Sequence, residues 1–177
     1  MLKRKSIKVQ PSSSPFQIIF YQRFPRLLKK ATMNAVDILL VEDNLDDAEL
    51  VINALRKKNL ANALFHVEDG EEALEFLFAE GRFEERRGAE QPKLVLLDLK
   101  MPKLSGLEVL KIIKDDSRTA AIPVVILTSS KEEPDIIEAY NLGANSYIVK
   151  PVTFEKFVDT VITVGFYWLV TNQTTRL

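Results

Sequence analysis

The sequence contains no cysteine and a single histidine, His66. Without thiols there is no disulfide framework and no thiolate metal site, and the composition fits a reducing compartment, with the cytoplasm as the expected location. Long hydrophobic runs are missing as well. Every apolar stretch is of strand length and interrupted by charge, far short of the roughly 18–20 residues that span a bilayer, so no membrane association is expected. Residues 1–32 hold no acid at all but eight basic side chains: Lys3, Arg4, Lys5, Lys8, Arg23, Arg26, Lys29 and Lys30. Taking those eight from the 24 Lys and Arg leaves sixteen, which face all 25 Asp and Glu, so the formal net charge of −1 hides two unlike parts. With 177 residues, 46% of them hydrophobic, the chain can bury one sizeable core but hardly two.

The basic part has the composition of a linker at residues 11–15, Pro-Ser-Ser-Ser-Pro, followed by an apolar stretch and a second basic one. It is read as a disordered tail, as a start placed too far upstream of Met33, or as a basic arm steered to nucleic acid or anionic lipid. It lacks the ordered charge, apolar core and cleavage site of a secretory signal. The expected division is a basic tail over 1–34, one domain over 35–171, and a short C-terminal tail over 172–177.

From residue 36 onward short apolar runs alternate with amphipathic stretches, the pattern of parallel strands joined by crossover helices. Strands are predicted at 36–41, 64–67, 94–97, 124–127 and 147–149. The first, third and fourth are almost continuous in Ile, Leu and Val, as strands covered on both faces should be, which makes them central. Leu45, Ala48, Val51, Ile52 and Leu55 recur at helical spacing and predict a helix over 45–58. Ser105 with Glu108, and Ser130 with Glu133, have capping-box spacing. Gly143 suits a helix stop. A last helix starting near Thr153 is expected to turn Phe154, Phe157, Val158, Val161 and Ile162 inward, with Val164, Tyr167 and Trp168 outside that stripe. Residues 81–92 read as a charged, solvated loop, and His66 as structural or exposed. Five such units make a three-layer α/β sandwich.

Ligands of an open parallel sheet bind beyond the carboxyl ends of its strands, and there the residue types are consistent. The first strand ends in Glu42-Asp43, the third in Asp98, the fourth in Thr128-Ser129 and the fifth in Lys150-Pro151. Three carboxylates placed together raise one another's pKa unless a cation compensates. Oxygen ligands with no His or Cys nearby favour Mg²⁺, whose octahedral shell keeps several waters that a phosphate oxygen can replace. A lysine and a hydroxyl complete what is needed to neutralise and orient a transferring phosphoryl group, with Asp98 as the nucleophile that forms an acyl phosphate. One strand-end Asp alone would more often be a turn residue; the conjunction carries the reading.

The segments 38–44, 96–102, 126–129 and 150–151, containing Leu-Val-Glu42-Asp43-Asn44, Leu-Leu-Asp98-Leu-Lys-Met-Pro102, Ile-Leu-Thr128-Ser and Lys150-Pro151, together resemble a response-regulator receiver domain of two-component signalling. The resemblance spans about 36–164. It implies a flavodoxin-like (βα)5 fold with strand order 2-1-3-4-5. It further implies Asp98 as phosphoacceptor and Glu42 with Asp43 as the acidic pocket. Mg²⁺ would be held by Asp43, Asp98 and the backbone carbonyl of Lys100, with Glu42 acting through water. Thr128 and Lys150 would contact the phosphoryl oxygens, the Lys150-Pro151 bond would be cis, and Tyr147 with Thr128 would form the switch. Met101-Pro102 and Gly106 match the loop after the phosphoacceptor. The Asp43-Asn44 start followed by Asp46-Asp47, the long loop before the third strand and the aromatic Phe166-Tyr167-Trp168 end resemble stand-alone receivers paired with phytochrome-type sensor histidine kinases.

The implied function is a signalling module rather than an enzyme: a histidine kinase phosphorylates Asp98, and the face formed by the fourth helix, fifth strand and fifth helix changes for a partner or a homodimer. Direct DNA binding is not expected, because the stretch after the last helix is too short for an output domain. Three other readings compete. An aspartate-nucleophile phosphatase needs a second carboxylate close after the nucleophile, where Lys100 stands. A flavin carrier needs a hydroxyl-rich phosphate cradle where the acidic pair stands. A phosphate sink without an output partner would share the whole site.

Overall fold

The computed structural model describes residues 36–60 and 63–173. The expected tail over 1–34 and the last four residues of the chain lie outside that range. Five strands, β1 (Ile38–Val41), β2 (Leu64–Val67), β3 (Leu94–Leu97), β4 (Val124–Thr128) and β5 (Ser146–Val149), alternate with five helices. These are α1 (Leu45–Lys57), α2 (Gly70–Phe78), α3 (Gly106–Asp115), α4 (Glu133–Asn141) and α5 (Phe154–Phe166). The strands pair in parallel in the order β2-β1-β3-β4-β5. This is the expected sandwich with the expected strand order.

β1, β3 and β4 are buried along their whole length, whereas β2 and β5 at the edges are mostly half-buried. Successive side chains of a strand point to opposite faces, and the continuous apolar runs therefore feed two cores. Leu39, Val41, Val95, Leu97, Val124 and Ile126 enter one, with Phe76, Val109, Leu110 and Ile113 of α2 and α3. Ile38, Leu40, Leu94, Leu96, Val125 and Leu127 enter the other, under Val51 and Leu55 of α1 and Phe157 and Val161 of α5. Each fully buried aliphatic side chain stabilises the fold by about 1.5–3 kcal/mol. The sheet is thereby fixed as a rigid platform whose carboxyl edge carries the polar residues.

Local signals set the helix starts. Asn44 caps α1, its Oδ1 accepting the backbone N–H groups of Asp46 at 3.0 Å and Asp47 at 3.1 Å. Acids in the first turn of α1 and Arg56 and Lys57 in the last complement the helix dipole. Ser105 and Glu108 form the predicted capping box of α3. The second predicted box does not form. α4 starts at Glu133, with Pro134 in its first turn, after Glu132, which makes no side-chain cap bond, and the buried Ser130 instead donates its hydroxyl to Asp135 at 2.5 Å.

Four other expectations are corrected. Leu45 is exposed, because it stands at the first position of α1, at its solvent-facing end. Phe154 at the start of α5 is exposed, while Val164 and Trp168 pack partly against the second core, so the inward stripe lies nearer the end of the helix. Gly165 lets α5 come close to α1, since a Cβ there would stand 2.5 Å from a methyl of Leu55. Residues 81–92 are not simply a solvated loop. A 3-10 turn (Gly81–Arg86) buries Phe83 and Arg86. Phe83 packs edge-on to Phe65 and Phe76, and Arg86 lies over the Phe76 ring at 3.7 Å while donating to the Phe76 carbonyl. Finally, the Lys150-Pro151 peptide, expected to be cis, is trans, as are all described peptide bonds. Trans is favoured by about 0.5–1 kcal/mol at X-Pro bonds, and Lys150 reaches its partners from it.

Candidate phosphoryl-transfer site

The last rungs of the sheet hold the polar residues in place. Glu42 donates its backbone N–H to the Val67 carbonyl at 3.1 Å, Asp98 to Val41 at 3.0 Å, and Lys150 to Thr128 at 2.7 Å. These side chains thus leave a hydrogen-bonded edge rather than a free loop. His66 adds to it: its Nε2 lies 2.7 Å from the Glu42 carbonyl, and because a carbonyl only accepts, this nitrogen carries the proton. The lone histidine is structural, buttressing the acidic pair from β2.

Lys150 is the hub. Its ammonium donates to Glu42 Oε2 at 2.6 Å, Asp47 Oδ2 at 2.8 Å and Asp98 Oδ2 at 2.9 Å. Glu42, Asp98 and Thr128 are all buried, so the attraction acts in a medium far less screening than water. Burial alone would lower the Lys150 pKa, but the bonds to Asp47, Glu42 and Asp98 outweigh it and hold the ammonium above its ordinary value. Burial pushes Glu42 up to about 7, against the pull of Lys150. Within the cluster the lysine keeps its charge.

Asp98 is oriented through both oxygens. Oδ2 meets Lys150, and Oδ1 accepts the backbone N–H of Lys100 at 3.1 Å. Behind this loop Gly106 opens α3 against the chain: a Cβ at that position would stand 2.2 Å from the Asp98 carbonyl oxygen. Only a glycine permits the approach. On the other side, the Thr128 hydroxyl accepts the Ser130 N–H at 3.3 Å, and Tyr147 donates its hydroxyl to the Ser130 carbonyl at 3.2 Å. Thr128 and Tyr147 are therefore joined through one residue. Burial raises the Tyr147 pKa, so the phenol stays a proton donor.

Oxygens of Glu42, Asp43 and Asp98 lie within 4.8 Å of one another. Carboxylate oxygens with no His or Cys among them are the donor set that a small hard cation such as Mg²⁺ would take. Asp43 is exposed and makes no hydrogen bond or ion pair among the described residues, which leaves its carboxylate available. Glu42, by contrast, is engaged by Lys150 and by the Asn44 N–H at 3.3 Å.

The predicted residues Glu42, Asp43, Asp98, Thr128 and Lys150 do converge on one sheet edge, with Tyr147 one step behind. Two side chains escaped the sequence reading. Asp47 contributes a carboxylate to Lys150, and Lys103, with positive φ in the loop after β3, pairs with Asp69 at 2.5 Å. Asp47 was recoverable from its place three residues after the capping Asn44, which turns it toward the same edge. The long-range pairing of Lys103 left no sequence signal.

Residues 38–162 match the family described as Response regulator receiver domain. The chain is 42% identical over 136 residues to the Probable methanogenesis regulatory protein FilR2 of Methanothrix harundinacea (strain 6Ac), covering 77% of this chain and 85% of that protein. It is 38% identical to the Response regulator Rcp1 of Synechocystis, over 76% of this chain and 89% of that one. The Mn(2+)-bound form of Rcp1 superimposes with a TM-score of 0.74 at 36% identity, covering 80% of this chain and 100% of Rcp1. The phosphorylated cyanobacterial phytochrome response regulator RcpA does so with a TM-score of 0.74 at 38% identity, covering 80% and 99%. No helix among the described residues is long and apolar enough to cross a membrane. The chain belongs to the response regulator receiver family.

Proposed function

We propose that this receiver is a phosphorylation switch in which Asp98 takes a phosphoryl group from the phosphohistidine of a sensor histidine kinase in the cytoplasm. The observation that carries the reading is the buried Asp98 carboxylate, held through both oxygens and facing Lys150 within a cluster of further acids. An Asp98 oxygen forms a bond to phosphorus as the N–P bond of the donor breaks. The electron pair stays on the imidazole nitrogen, which takes up a proton on leaving. Asp43, Asp98 and the Lys100 carbonyl, with Glu42 through water, are the groups suited to hold Mg²⁺, which when bound neutralises charge between the carboxylates and the phosphoryl oxygens. The Mn(2+)-bound state of Rcp1 supports a divalent ion here, and the phosphorylated state of the phytochrome regulator RcpA supports both the modification and a phytochrome-type kinase.

Lys150 then donates to a phosphoryl oxygen, and Thr128 turns its hydroxyl toward another. Because Thr128 and Tyr147 share Ser130, that turn loosens the Tyr147 tether and lets the ring move. The surface affected lies on α4, β5, α5 and the turn between the last two, where Ile137, Tyr140, Val152 and Phe154 are exposed. Apolar side chains there fit a partner protein or a second copy of the chain. Incubation with Mg²⁺ and acetyl phosphate, followed by intact mass, is expected to add one phosphoryl group to the wild type and none to Asp98→Asn. Equal labelling of the variant would remove Asp98 from the role.

A further inference from the structure

We infer that Asp47 is a positioning residue that competes with the phosphoryl group for Lys150 and thereby sets how readily the phosphorylated state forms; the inference rests on the phosphoacceptor reading of Asp98. A lysine ammonium has three donor hydrogens and no more. In this structure all three are committed, to Glu42, Asp47 and Asp98, at 2.6, 2.8 and 2.9 Å. These are lengths of charge-assisted bonds. A phosphoryl oxygen can therefore gain Lys150 only by displacing a carboxylate, and every carboxylate that remains draws the ammonium away from it.

The three partners are not equivalent. Asp98 is the acceptor itself, so its bond to Lys150 passes naturally to the phosphoryl oxygens it carries. Glu42 has 1% of its side chain exposed, and stripping it of the lysine would leave a buried acid unpaired. Asp47 has 33% exposed, so water can solvate it when Lys150 leaves. It is the partner that can hold the lysine in the resting site and release it at modest cost.

Its placement is built in. Asn44 fixes the backbone of both Asp46 and Asp47, yet only Asp47 reaches Lys150; Asp46 is exposed and makes no ion pair among the described residues. The two acids sit side by side in one helical turn and share its dipole. Asp47 differs from Asp46 in the Lys150 contact and the partial burial that goes with it, so Asp46 serves as the control for a charge at this helix start.

Replacing Asp47 by Asn keeps a neutral acceptor but removes one negative charge from the lysine and from the neighbourhood of the incoming group. At saturating Mg²⁺, Asp47→Asn and Asp47→Ser are expected to bind beryllofluoride about tenfold more tightly than the wild type by calorimetry, the change given by one charge-assisted bond. The concentration of acetyl phosphate giving half-maximal phosphorylation should fall, with the saturating rate moved less. Asp46→Asn should stay within about twofold of the wild type, since an exposed charge at a helix start acts weakly. Two variants at position 47 guard against a folding defect in either. Unchanged or weaker binding in both, or an equal gain in Asp46→Asn, overturns the role of Asp47 while leaving Asp98 as acceptor. A wild-type protein that takes up neither beryllofluoride nor phosphate overturns both readings.

Discussion

Replacing Gly106 by Ala puts the packing of the site to a quantitative test, because two opposing effects of known size act at one atom. In an open helix the change would stabilise by up to about 1 kcal/mol, since Ala is the better helix former. Here the new Cβ would stand 2.2 Å from the Asp98 carbonyl oxygen and 2.7 Å from the Leu99 Cα. Both are backbone atoms, so no side chain can swing away; α3 and the Asp98 loop must part. Inserting a carbon into a packed site costs about 1–3 kcal/mol, and an obstacle made of backbone belongs at the upper end. The net expectation is a loss of about 2 kcal/mol, or about 6 °C in melting temperature for a chain of this length. The displaced loop carries the Lys100 N–H that orients Asp98 Oδ1, so acceptance from acetyl phosphate should slow as well. Urea unfolding followed by circular dichroism, with intact-mass phosphorylation on the same samples, measures both. A variant as stable as the wild type that accepts phosphate at the wild-type rate would refute the reasoning.

Two further outcomes follow from packing and charge away from Asp98. Phe76 is fully buried, stacked on Phe65 at 4.8 Å and covered by Arg86, so Phe76→Ala is expected to lose about 3–5 kcal/mol in urea titrations; a loss below 1 kcal/mol would mean that the aromatic group is not part of the core. Burial alone would raise the Asp69 pKa, but Lys103 and the backbone N–H of Glu72 outweigh it and hold it below its ordinary 3.8. A carboxylate depressed in the folded state contributes stability that is complete above its unfolded value and is lost as pH falls through the folded one. Asp69→Asn keeps a capping side chain for α2 but cannot titrate, so its stability should fall less steeply than the wild type's below about pH 4. Parallel acid profiles in thermal melts would exclude the Lys103 contact.

What the sequence made legible was set by periodicity and by position along the strands. Continuous apolar runs with polar residues at their carboxyl ends gave the strand order's central members and five of the site's side chains, because a parallel sheet brings those ends together whatever the loops do. The failures have a different physical character. Phe83 and Arg86 lie in a stretch with loop-like composition, and only their packing on Phe76 shows that it closes the core. Ser130 has capping-box spacing, but its hydroxyl answers to Asp135 and its N–H to Thr128. A local pattern was overruled by burial next to the site. Asp47 is a helical residue brought to a strand-end site by a cap, so a search confined to strand ends passes over it.

The charges at this edge also explain why one lysine is not enough. Three close carboxylates need a compensating cation, and the structure supplies one in Lys150, whose three hydrogens answer Glu42, Asp47 and Asp98. Asp43 is left outside that arrangement, exposed and without a protein partner among the described residues. The acids at this edge outnumber the single ammonium, at the place where, on the proposed reading, an anionic phosphoryl group would approach. If Asp98 is the phosphoacceptor, such a site would repel its own substrate unless Asp43 and Asp98 held a divalent ion and the lysine were free to turn. On the proposed reading, acceptance at Asp98 would depend on two events of opposite kind, the arrival of a cation beside Asp43 and the release of Lys150 from Asp47.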